Sequence, residues 1–175
     1  IVYAKTKPSL AAAWRDCERA DWMLWLLGKI TANRAPETPA RRKLAGCAGE
    51  CAATILRYLP EDEKRPAKCI RLVRRWAGGD PRVTIGMLQD AASAASAAYY
   101  AYYAPIVSAV SVAHCSADSA ASTADYAACA AELAAYACDA YAAAKQRALA
   151  RMARIVRRNY PTAPRLRGKK AAKDE

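Results

Sequence analysis

Apolar positions recur at steps of three and four along most of the chain, and no stretch alternates for long with a period of two. That spacing gathers side chains on one face of an α-helix rather than a strand. Ser9 can cap a first short helix with Leu10, Trp14 and Cys17 on its apolar side. Asp21 is the expected cap of a second. Its run Trp22-Met23-Leu24-Trp25-Leu26-Leu27 is apolar nearly all round, which predicts burial on most sides. Asn33 to Pro39 reads as a loop. From Ala40, the set Leu44, Cys47, Ala48, Cys51, Ile55, Tyr58 and Leu59 forms one face of a helix that ends before Pro60. Asp62 or Glu63 precedes the next helix, with Pro66 in its first turn and Ala67, Ile70, Val73, Trp76 and Ala77 on its apolar side. Gly78-Gly79-Asp80-Pro81 stops it.

Thr84 can cap a fifth helix, which Pro105 breaks near Tyr103 or Ala104. Ser116 then opens a long alanine-rich final helix running to about Asn159, and Pro161 and Pro164 end it. Within it Asp118, Asp125, Glu132 and Asp139 recur every seven residues beside the stripe Tyr126, Cys129, Leu133, Tyr136 and Ala140. Such heptads favour helices packed at a shallow angle. The expected fold is all-α: a single-domain bundle of about six helices over residues 1–160, then a flexible basic tail over 161–175. Trp22, Trp25, Leu26, Cys47, Cys51, Ile55, Ile70, Val73 and Trp76 are the expected core anchors.

The chain has 175 residues, enough for one domain with a core of its own. It has no Phe, so four Trp and ten Tyr supply the large aromatic side chains. The composition excludes a disordered acidic chain, a collagen-like chain and a disulfide miniprotein. Seven cysteines, mostly beside alanine in helical patterns, read as buried free thiols of a reduced, cytoplasmic protein. The longest uncharged run is too polar for a membrane span. The opening residues do not read as a secretory signal, and the start at Ile1 rather than Met reads as a fragment or a processed product.

Charge divides the chain. The net charge is +12, distributed as +7 over residues 1–90, −4 over 91–144 and +9 over 145–175. Lys68, Arg71, Arg74 and Arg75 group on one side of the fourth helix, and Arg147, Arg151, Arg154 and Arg158 follow steps of four, three and four on the last. Arg165, Arg167, Lys169, Lys170 and Lys173 continue the charge into the tail. Such rows attract phosphate backbones or an acidic protein, or serve only as a solvated face. Tyr99, Tyr100, Tyr102 and Tyr103 could stack on bases, but their charge-free surroundings favour packing or an aromatic contact surface.

Catalytic and metal chemistry has few candidates. His114, the single histidine, adjoins Cys115, and neighbours in sequence point in different directions. Cys47 and Cys51 lie four apart, but zinc needs two further ligands and no C-x-x-C pair is present. Gly78-Gly79 follows a helix rather than a strand and is no phosphate loop. The four heptad acids lie about 10.5 Å apart in succession, too far to act as a carboxylate pair. No cofactor, metal site or catalytic residue is expected.

The block Trp14-Arg15-Asp16-Cys17-Glu18-Arg19-Ala20-Asp21-Trp22-Met23-Leu24-Trp25-Leu26-Leu27 resembles the start of an immunity-protein family known from bacterial toxin–immunity loci and carried by phages. Arg41-Arg42-Lys43-Leu44-Ala45 with Cys47-Ala48, Tyr58-Leu59-Pro60 and Arg75-Trp76-Ala77-Gly78-Gly79 resemble its later elements, as do the Ala/Tyr/Asp repeat and Ile155-Val156-Arg157 with Tyr160-Pro161. The similarity covers most of residues 9–161. It implies an all-helical, non-enzymatic binding protein that occludes a macromolecular partner, in an immunity-like or phage anti-defence setting. The alternatives are a basic nucleic-acid-binding accessory protein and a minor structural subunit of a larger particle.

Overall fold

Helix starts and stops follow the local chemistry of the chain. The computed structural model describes residues 2–102, apart from Asn33, Pro36 and Pro60, and residues 141–165. They form a one-turn helix α1 (Val2–Lys5), α2 (Leu10–Asp16), α3 (Ala20–Thr31), α4 (Pro39–Ala52), a 3₁₀ helix (Ala53–Tyr58), α5 (Arg65–Ala77), α6 (Ile85–Tyr102) and α7 (Tyr141–Asn159). No strand occurs among the described residues, and the fold is all-α.

Ser9 caps α2, its hydroxyl accepting from the Ala12 N–H at 3.1 Å. The Thr84 hydroxyl accepts from the Met87 N–H at 3.3 Å and starts α6. The end of α5 is a Schellman turn. The Asp80 N–H donates to the Arg75 carbonyl and the Gly79 N–H to that of Trp76, at 3.1 and 2.9 Å. Gly79 adopts φ +86°, a left-handed conformation that glycine enters without a Cβ clash.

α4 is the hub, with α3, α5 and α7 packed around it. The approach of α5 is close: a Cβ on Gly46 would lie 3.0 Å from the Ala77 Cβ, and one on Gly49 would lie 3.1 Å from a Val73 methyl. Leu44, Ala48 and Cys51 of α4 and Ile70, Val73 and Trp76 of α5 belong to one buried core with Leu88, Leu149, Met152 and Val156. At about 25 cal/mol per Å² of apolar surface, burial of such side chains is the main term holding the helices together.

Two expectations are corrected here. Trp22 and Trp25 are not core anchors: they are 45% and 36% exposed, whereas Trp14 and Trp76 are 4% and 1% exposed. The helical period sets this division. Ala20, Met23, Leu24, Leu27, Gly28 and Thr31 recur at threes and fours and take the inner face of α3. That register turns Trp22, Trp25 and Lys29 outward and leaves Leu26 half-buried. Asp21 does not cap α3 either. Arg19 holds the cap position but its side chain caps no helix N–H, and Asp21 lies buried in the first turn, accepting from Arg19 Nε at 2.9 Å.

The remaining anchors Cys47, Cys51, Ile70, Val73 and Trp76 are buried. The Ile55 side chain, Pro105, His114 and the heptad acids lie outside the described residues, as does the expected final helix before Tyr141. Beyond α7, Tyr160 and Ala163 pack against the core.

Candidate functional site

The basic rows sit where helical spacing puts them. On α5, Lys68, Arg71, Arg74 and Arg75 are exposed, opposite buried Cys69, Ile70, Val73 and Trp76. On α7, Arg147, Arg151, Arg154 and Arg158 are exposed, opposite Leu149, Met152, Ala153 and Val156. Eleven rises of 1.5 Å make the α7 row about 16 Å long. Both helices pack on α4, so the two rows flank one hub. Arg75 is held by Asp80, which accepts from its Nε and Nη2 at 2.9 and 2.8 Å. The bond from Arg75 holds the Asp80 carboxyl below the ordinary carboxylate range. Arg158 donates to Glu50 at 2.7 Å. Arg165 is exposed, and Arg167, Lys169 and Lys170 lie outside the described residues.

A second surface was not anticipated. Arg19, Trp22, Trp25 and Lys29 follow steps of three, three and four along the outer face of α3. The Arg19 guanidinium lies 4.5 Å from the Trp22 ring centre and the Lys29 ammonium 5.5 Å from that of Trp25. Tyr3 packs on Trp22 with ring centres 5.8 Å apart, and Lys7 lies 5.5 Å from the Tyr3 ring. The result is an aromatic face edged with cations. The sequence carries only part of the signal: Ala20, Leu24, Leu27 and Thr31 share a face opposite the two indoles, and the packing of α4 and α7 makes it the inner one.

Between α4, α5 and the end of α7 lies an open cleft of about 730 Å³. Arg42, Lys43 and Arg74 line it together with Glu37, Glu50 and the bare backbone of Gly46, Gly78 and Gly79. Arg42 is fixed in place: Nε donates to the Glu37 carbonyl at 3.1 Å and Nη1 to the Trp76 carbonyl at 3.3 Å, and its guanidinium covers the Trp76 ring at 5.1 Å.

Nucleophilic chemistry finds little support in these residues. Cys17, Cys47, Cys51 and Cys69 are free and buried. Burial raises the thiol of Cys17 and pushes that of Cys69 up to about 12. The hydrogen bond with Cys47, then burial, holds Cys51 far above the usual thiol range. Reactive cysteines need the opposite shift. Among the described residues no group of three His, Cys, Asp or Glu could hold a metal ion, and no helix is long and apolar enough to cross a membrane. Arg41 in the first turn of α4 is only 3% exposed, and its Nε and Nη1 have no hydrogen-bond partner among the described residues. No family model, curated protein or solved structure matches the chain.

Proposed function

We propose that this chain is a non-enzymatic interaction protein that binds and occludes a protein partner through the outer face of α3. The observation that carries this reading is the exposure of Trp22 and Trp25 one helical turn apart, while Trp14 and Trp76 are sealed in the core. Exposed indoles beside an arginine are the usual anchors of protein interfaces. The cations Arg19 and Lys29 already lie against the indole rings, which favours a protein contact over stacking of bases on bare ring faces. The resemblance to the immunity-protein family supports the same kind of role. A reducing, cytoplasmic setting fits the free thiols. The test is capture of the partner with wild-type protein and with Trp22→Ala/Trp25→Ala. A partner retained by both proteins would remove this reading.

A second reading has its own observation. The exposed row Arg147, Arg151, Arg154 and Arg158 suits a phosphate backbone. Binding of that kind weakens steeply with salt and shows little sequence preference. Arg151→Glu/Arg154→Glu would abolish it with the fold intact.

A further inference from the structure

Among the described residues, the cleft between α4 and α5 carries more positive charge than its own carboxylates neutralise. No carboxylate of the described residues forms an ion pair with Arg42, Lys43 or Arg74. Of the two acids that line it, Glu50 is already engaged by Arg158 Nη2 at 2.7 Å and by Asn159 Nδ2 at 3.1 Å. Three cations against Glu37 leave an excess of two positive charges.

Arg42 is a built element of the cleft rather than a waving surface chain. Two backbone carbonyls and the Trp76 ring hold its guanidinium, and Nη2 makes no hydrogen bond among the described residues. Both carbonyl acceptors are neutral, so its charge remains to be met. Lys43 is likewise steadied, its ammonium lying 4.7 Å from the Tyr160 ring. The wall at Gly78 and Gly79 has no side chains, which lets a ligand reach the guanidinium closely.

We propose that this cleft binds a phosphate monoester carried on a small molecule. A monoester holds about −1.5 to −2 charges near neutral pH and three acceptor oxygens, which matches two excess cations and a fixed guanidinium fork. A nucleic-acid diester spreads single charges along a strand and matches less well. The cleft volume of about 730 Å³ also falls in the range of small-molecule sites. The site is separate from the Trp22–Trp25 face and does not depend on that reading.

The experiment is calorimetric titration of the full chain with inorganic phosphate, a nucleoside monophosphate and the matching nucleoside. The phosphate-bearing ligands bind saturably and the nucleoside does not. Tighter binding of the ester than of inorganic phosphate identifies the ester as the ligand form. Equal binding, or loss of the phosphate-dependent signal altogether, overturns the proposal. Arg74→Glu and Lys43→Glu, both at exposed positions, each weaken binding about tenfold or more. Lys64→Glu, exposed at the far end of α5 from Gly78 and Gly79, leaves it unchanged. Equal weakening by Lys64→Glu would show diffuse charge attraction and refute a site at the cleft. Circular dichroism of each variant confirms that the helices persist, and Arg74→Gln gives a milder version of the same loss.

Discussion

The indole Nε1 of Trp14 donates a hydrogen bond to the main-chain carbonyl of Tyr160 at 2.9 Å, across 146 residues of sequence. It ties α2 to the chain leaving α7, and Arg157 adds a second tie through Nη1 to the Cys17 carbonyl. Trp14→Phe keeps most of the ring but leaves the Tyr160 carbonyl unpaired, and should cost about 1–3 kcal/mol. Trp14→Ala also opens a cavity and should cost about 3–5 kcal/mol. Thermal melts should rank wild type, Trp14→Phe and Trp14→Ala in falling order. Equal midpoints would place Trp14 outside the core.

Trp22 and Trp25 should behave differently. Each rests on the surface, with a cation–aromatic contact of about 0.5–1 kcal/mol beneath it. More than half of each residue is nevertheless covered, so Trp22→Ala and Trp25→Ala should each cost about 1–2 kcal/mol, against about 3–5 kcal/mol at Trp76. Denaturant titration of the three variants checks this. A loss at Trp25 as large as at Trp76 would mean that the indole is buried in solution.

Buried Arg41 makes the opposite kind of prediction. A charge whose Nε and Nη1 find no hydrogen-bond partner among the described residues costs several kcal/mol to bury. Arg41→Met keeps the length and removes the charge, so it should leave stability unchanged or raise it by about 1–4 kcal/mol. A lowered melting midpoint would show that the guanidinium makes a contact the protein depends on.

The thiols set an alkaline limit. Cys69 ionises near 9.0 when unfolded and is pushed up to about 12 in the folded protein by burial. Between these values the unfolded chain loses a proton that the folded one keeps. Stability from this group is therefore fully present below pH 9 and falls as pH rises towards 12. Cys17 and Cys51 are shifted in the same direction and add to the fall. Denaturation midpoints measured across this range should decline, and Cys69→Ala should flatten the decline.

The helix punctuation was legible because capping is local. Ser9, Thr84 and Gly78-Gly79 act within a few residues of where they stand. The phase of α3 was harder, because six apolar residues in a row conceal which face is inner. The small residues Ala20 and Gly28 and the back-bonded Thr31, whose hydroxyl donates to the Leu27 carbonyl at 2.9 Å, settle it only once α4 and α7 pack there. The basic rows could be read from spacing alone. The cleft could not: Arg42, Arg74 and Asn159 come from three helices, and only their packing brings them to one wall.

The most direct test of the interaction face is capture from the native source at about 1 M salt, where the Debye length shrinks to about 3 Å. Wild-type protein and Trp22→Ala/Trp25→Ala would be compared under identical conditions, after nuclease treatment. One stoichiometric protein partner should stay bound to wild type in high salt and be lost from the double variant. Recovery of nucleic acid alone, released by salt and held equally by both proteins, would contradict this.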